Sequence, residues 1–265
     1  MASTLKERIE AYEIEADNKL LRKVPVIIEL NGRSFKKTTS MLTKPYDANF
    51  AETMSAVMIK LAAEIDGTAF VYSANDEIVI VSRNDQSNET NAWCNNKIQK
   101  MVSIAASIAT YEFSRVAKLN DMQLLGDPIF TAKTFVVPNV VESINVLIHK
   151  QQKAYHTALS MATFYELLKK HTHDVVRDIL YDRSAQEKEE ILLDECGKRF
   201  DEYPLTFRRG CAILRRPQVV STAEGEMIRN KLTVDMELPV FTRNPEYLTE
   251  IFRNGHGILR AKHDV

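Results

Sequence analysis

Few folds can accommodate the segment Phe70–Arg83, FVYSANDEIVIVSR. Thr68–Ser73 and Ile78–Ser82 are rich in β-branched and aromatic residues and flank a polar turn, Ala74-Asn75-Asp76-Glu77. The pattern predicts a β-hairpin with two adjacent carboxylates at its tip. Neighbouring strand residues point to opposite faces, so Asp76 and Glu77 cannot both address one ligand from a regular strand. Either one of them faces a site while the turn holds the other, or the pair is a solvated acidic turn. Upstream, Leu30-Asn31-Gly32-Arg33-Ser34-Phe35 leaves the apolar run Pro25–Leu30, which reads as a buried central strand.

The elements around the hairpin predict its sheet. Lys44-Pro45-Tyr46-Asp47 breaks the chain before a helix striped by Phe50, Met54, Val57, Met58, Leu61 and Ile65 at 3,4 spacing. After the hairpin comes a second helix over Asn91–Arg115, then a strand over Ile129–Val137 closed by Pro138-Asn139. Strand, helix, two strands, helix, strand predicts an α+β fold. Its palm-like (ferredoxin-like) antiparallel sheet carries both helices on one face and leaves the other open to a ligand. Residues 3–20 are expected to form an amphipathic helix on Leu5, Ile9, Tyr12 and Ile14.

From Val141 the chain reads as mostly helical, over Glu142–Lys169, Val175–Tyr181 and, from the capping box Ser184-Ala185-Gln186-Glu187, through Glu195. Cys211–Leu214 and Thr233–Leu238 read as strands and Pro245–Arg253 as a last helix. No linker is visible, so residues 1–140 are expected as a palm-like core with a helix-rich half, 141–265, packed on it.

A net charge of −1 over 265 residues excludes a generally basic nucleic-acid binder; any nucleic acid must meet a local basic surface. Three cysteines without paired spacing argue for a reduced protein with buried thiols. With no apolar signal core and no run of 18 apolar residues, a soluble cytoplasmic protein without membrane partners is expected. His149, His156, His171 and His173 complete no zinc spacing and read as surface or core residues.

The strand exit and the hairpin tip are the chemical candidates. If both lie side by side, oxygen donors at Asn31 and Asp76 could hold hard cations. Gly32 admits a close carbonyl, and Arg33, Ser34 and Phe35 could offer backbone N–H groups to a triphosphate. The alternative for Asn31-Gly32 is an ordinary turn. Lys97 and Lys100, three apart on one predicted helical face, are either solvated or available to phosphates.

These segments resemble, in order, the signature stretches of the tRNA-His guanylyltransferase family and its relatives, the 3′–5′ RNA polymerases. Leu30–Phe35 is similar to LDGRxF, Lys44–Asp47 to KPND and Ser73–Glu77 to SDEY. Asn95–Ser107, Phe130–Pro138, Glu187–Leu193 and Phe207–Gly210 resemble the later RRxSK, FDxRxxxYP, KNEIL and YRKG stretches. The match spans roughly residues 24–215.

The resemblance implies a two-metal nucleotidyltransferase with two Mg²⁺ ions, ATP and GTP as substrates, tRNA or tRNA-like RNA as partner and a homotetrameric assembly. Asp76 falls at a metal aspartate, Glu77 at the acid beside it, and Gly32 at a carbonyl ligand. Lys44, Asp47, Lys97, Lys100 and Lys188 fall at nucleotide-binding positions. Lys150, Lys153, Arg208, Arg209, Arg215 and Arg216 lie near these matches and are expected to meet RNA phosphates.

Two departures stand out. Asn31 replaces the first metal aspartate, removing a negative charge from a site meant for two dications. Ala154–Ser160 stands where the family carries an HINNLYN-like run, which points away from tRNA-His and toward 5′-end repair on broader RNA substrates. The expected activity is therefore addition of nucleotides to the 5′ end of an RNA, reduced or lost through Asn31. The alternatives are a catalytically silent nucleotide- or RNA-binding member and a palm-type nucleotide cyclase.

Overall fold

A computed structural model of the chain describes residues 4–87, 89–222 and 225–253. The described residues form one antiparallel sheet of six strands and nine α-helices. The strands are β1 (Val26–Arg33), β2 (Thr68–Ala74), β3 (Glu77–Ser82), β4 (Ile129–Val136), β5 (Cys211–Thr222) and β6 (Gly225–Asp235), in the spatial order β4-β1-β3-β2-β5-β6. The first four helices are α1 (Leu5–Ala16), α2 (Phe35–Thr38), α3 (Ala48–Glu64) and α4 (Ile98–Leu119). The later ones are α5 (Val140–Leu167), α6 (His173–Leu180), α7 (Ala185–Asp194), α8 (Leu205–Arg209) and α9 (Pro245–Arg253).

The expected β-α-β-β-α-β order is present, with α3 and α4 on one face of the sheet. Val26, Ile28 and Leu30 of β1 and Ile78 and Ile80 of β3 pack there against Met54, Met58, Leu61, Met101 and Phe113. Near the end of this core Phe35, Phe50, Phe113 and Phe130 meet edge-to-face or tilted at 4.9–6.3 Å between centroids. Each such pair adds roughly 0.5–1.5 kcal/mol beyond simple burial.

The opposite face is covered, against the expectation of an open one. Ile27, Phe70, Tyr72, Val79 and Val81 lie beneath Leu147 and Ala154 of α5, Leu238 and Phe241 of the loop between β6 and α9, and Leu248 and Phe252 of α9. The two short strands expected near 211 and 233 are the bases of a long β5–β6 hairpin, joined to β2 through Val71↔Ile213 and its neighbours. The strand expected to reach Leu238 ends at Asp235, and Leu238 is buried in the second core instead.

Two helices differ from expectation. Helix α1 carries a Thr4–Glu7 capping box, but none of its residues is buried and its stripe of Leu5, Ile9, Tyr12 and Ile14 faces outward. The helix expected from Asn91 starts at Ile98, because Cys94, Asn95 and Asn96 adopt φ of 49°, 53° and 57°, which no α-helix accommodates.

Candidate active site

The hairpin turns on Asn75 and Asp76, with Asn75 at φ 53°, a region asparagine tolerates well. Strand β1 does not end before Asn31 but runs on to Arg33, so Asn31-Gly32 is strand and not turn. Asn31 stands directly opposite Glu77 of β3, and the Gly32 N–H donates to the Asp76 carbonyl at 3.1 Å. The first strand and the hairpin tip are thus tied together. Gly32 is required by packing: a Cβ there would lie 2.3 Å from the Phe35 ring.

A cavity of about 1590 Å³ opens beside this junction, with Asn31, Asp76 and Glu77 in its wall. Lys44, Asp47, Lys188, Lys153, Arg208 and Arg209 line it as well. Burial pushes the Asp76 carboxyl above its ordinary range, Glu77 adds to the rise, and its own backbone and Lys153 oppose it. Burial lowers the Lys44 ammonium, whose Nζ donates to Thr39 Oγ1 at 3.2 Å. Asp47 caps α3, accepting from Phe50 N at 2.9 Å and Thr43 N at 3.1 Å. Lys188 Nζ reaches Ser160 Oγ at 3.1 Å.

Behind Asn31 lies a cluster of opposite charges. Lys150 Nζ is 2.5 Å from Glu77 Oε1 and 2.9 Å from Glu29 Oε2. Lys133 Nζ is 2.8 Å from Glu29, and Lys153 Nζ is 3.5 Å from Glu77 Oε2. Burial alone would raise the Glu29 carboxyl, but Lys133 and Lys150 hold it below the usual range. The same two carboxylates raise Lys150 against the opposing effect of its burial.

Several expected site residues lie elsewhere. Lys150 is buried and turned to carboxylates, so it does not present itself to RNA phosphates. Lys97 precedes α4, pairs with Asp17 at 2.8 Å, and sits with Lys100 by the Asn84–Asn96 contact past the end of β3. That is the far end of the sheet: Ser82 pairs with the start of β1 and Glu77 with Asn31. Gly32, Arg33 and Ser34 are not among the described cavity-lining residues, and Arg33 instead pairs with Ile129 of β4. The Phe35 ring edges the cavity but is anchored in the aromatic core. Arg215 and Arg216 lie on β5 outside that wall, with Arg216 held 2.5 Å from Asp235.

Glu29 belongs to no site motif, although a carboxylate within the apolar run PVIIEL is itself a signal. Lys36, Tyr155, His156 and Arg243, none of them expected at a site, also line the cavity. Burial, together with the hydrogen bond it donates to Glu189, pushes the Tyr155 hydroxyl up to about 12. Among the described residues no group of three or more His, Cys, Asp or Glu is placed to hold a metal. No described helix is long and apolar enough to cross a membrane.

A family model described as tRNAHis guanylyltransferase (Thg1) matches residues 6–138. A probable tRNA(His) guanylyltransferase of Drosophila melanogaster is 23% identical over 232 residues, covering 86% of this chain and 79% of the relative. The tRNA(His) guanylyltransferase of Schizosaccharomyces pombe is 26% identical over 222 residues, 82% of each chain. A bacterial tRNA(His) guanylyltransferase-like protein solved in complex with ATP superposes at a TM-score of 0.79 with 26% identity, covering 94% of this chain and 99% of its own. The family match across half of the chain and the shared palm-type fold lead to one conclusion: this chain belongs to the tRNA-His guanylyltransferase family, whose members are nucleotidyltransferases.

Proposed function

We propose that this chain adds nucleotides in the 3′–5′ direction to the 5′ end of a tRNA or tRNA-like RNA. The observation that carries this reading is the junction of Asp76 with the end of β1, opening on a cavity whose other walls bear Lys44, Lys188, Arg208 and Arg209. A related bacterial protein has been solved with ATP and with GTP, which supports nucleoside triphosphates as the substrates. In this reading residues 1–140 carry the catalytic palm, and the second half completes the pocket and contacts RNA. The protein works in the cytoplasm as a homotetramer.

The donor set fits one Mg²⁺ carried in with a triphosphate. Asp76 offers a carboxylate that burial leaves poorly compensated and Asn31 an amide oxygen; phosphates and water complete such sites, while Gly32 stands outside the cavity wall. A second ion fits poorly, since Asn31 is neutral and both oxygens of Glu77 already face ammonium groups. Magnesium, when bound, offsets phosphate charge. The chain's own residues do the rest. Lys44 and Lys188 hold the triphosphate, Asp76 would hold the ion beside it, and Lys153 with Arg208 and Arg209 steadies the RNA end. The RNA 5′-monophosphate first displaces pyrophosphate from ATP or GTP; the 3′-hydroxyl of the incoming nucleotide then attacks that activated phosphate and releases the mononucleotide.

The test is addition of labelled nucleotide to a 5′-truncated, 5′-monophosphorylated tRNA by the native protein and by Asn31→Asp. Addition by both, faster with the aspartate, is expected. No addition by either form would overturn the proposal. Asn31 and the Lys150-bound Glu77 favour a second reading, a silent nucleotide-binding member, in which both forms bind ATP and neither extends RNA.

A further inference from the structure

Among the described cations of the charge cluster, Lys150 is the buried one. Its side chain is only 9% exposed, that of Glu29 3% and that of Glu77 18%. Lys133 and Lys153, by contrast, reach in from surface positions. Glu29 and Asn31 alternate along β1 onto the same face, and Glu77 is the direct partner of Asn31. This patch therefore holds three carboxylates, Glu29, Asp76 and Glu77, against three ammonium groups, Lys133, Lys150 and Lys153.

An aspartate at position 31 would put a fourth carboxylate directly opposite Glu77, where like charges repel. A dication seated against Glu77 would meet a buried ammonium within a few ångströms, and that repulsion is weakly screened away from water. The neutral side chain at 31 and the buried ammonium at 150 suit each other. Each takes away the need for the second dication that the other would otherwise require or resist.

We infer that Lys150 takes the place of a second divalent cation in this site, holding Glu77 and Glu29 off the metal so that the nucleotide-loaded chain binds one divalent ion. The inference rests on the nucleotidyltransferase reading for the ion itself, but it concerns charge balance and is measurable without RNA or turnover. Lys150 acts through Glu77 and is a positioning residue.

The experiment titrates Mn²⁺ by electron paramagnetic resonance into the full chain loaded with a non-hydrolysable ATP analogue. Native protein, Lys150→Arg, Lys150→Gln, Asn31→Asp and the Asn31→Asp/Lys150→Gln double variant are compared. One Mn²⁺ per chain is expected for native protein and Lys150→Arg. The double variant should take up two, and its second site should bind at least about tenfold tighter than in Asn31→Asp alone. Two ions in the native protein would overturn the inference. So would a double variant that matches Asn31→Asp within twofold. If Lys150→Gln variants do not fold, the native and Lys150→Arg stoichiometries decide alone. Failure of RNA extension with one Mn²⁺ bound would sink the functional proposal and leave this inference standing.

Discussion

Asn31 and Glu77 are direct cross-strand partners of β1 and β3, and the buried Lys150 ammonium sits 2.5 Å from the glutamate. An amide thus faces a carboxylate whose charge is already compensated. Three consequences for stability and activity follow from this neighbourhood, and a fourth concerns the outer wall of the cavity.

Lys150→Met should destabilise the fold by up to about 3 kcal/mol, because it removes the buried partner of Glu29 and Glu77 and leaves them only the exposed Lys133 and Lys153. The acid sensitivity should weaken. In native protein Glu29 is held below its ordinary value of 4.5, so its contribution is present above that pH and is lost as pH falls through the depressed folded value. Without Lys150 only Lys133 opposes burial, so the folded value moves up toward the ordinary one and less stability should be lost on acidification. Urea unfolding at several pH values reads this directly; an unchanged slope would refute it.

Asp76→Asn should slow nucleotide addition by on the order of 100-fold or more, the scale of losing one electrostatic contact to a reacting group. The same change should raise the melting temperature at pH 7. Burial lifts the Asp76 carboxyl above its ordinary value, so the folded state binds the extra proton and stability falls as pH rises through that window. Removing the charge removes the penalty. A melting temperature that falls at pH 7 would contradict this account.

Gly32→Ala should cost about 1–3 kcal/mol, because its methyl would meet the Phe35 ring at 2.3 Å in a packed aromatic cluster. The displaced ring would push β1 away from the Asp76 carbonyl, so activity should fall in parallel. Chemical denaturation and the extension assay check the pair, and a stable, fully active Gly32→Ala would show that the ring can move aside freely.

Lys153→Ala and Arg208→Ala should weaken RNA binding and reduce its salt dependence, by about 0.7 in log–log slope for each phosphate that is no longer neutralised. Lys150→Arg should leave that slope unchanged, since residue 150 faces Glu29 and Glu77. Filter binding across salt concentrations separates the three.

The hairpin at Asn75-Asp76, the apolar run of β1 and the Met54–Ile65 stripe were legible in the amino-acid order, because each follows from a short-range period or a turn residue. The long α5 was legible for the same reason, and so was the order of elements that makes the palm. The Asn95-Asn96 pair hid a local break: two polar residues look compatible with a helix start until three successive positive φ values end it. Lys97 moved with that break.

The chain by itself determined which segments are strand or helix and which carboxylates stand at the hairpin tip, since alternation and turn chemistry act between residues close in sequence. Only the tertiary structure decided that Lys150 faces inward to Glu29 and Glu77, that Lys97 lies at the far end of the sheet, and that α5 and α9 close the second face. These depend on where residues more than seventy positions apart are brought together. A lysine bound for a phosphate and a lysine bound for a buried glutamate look alike until the fold supplies the partner.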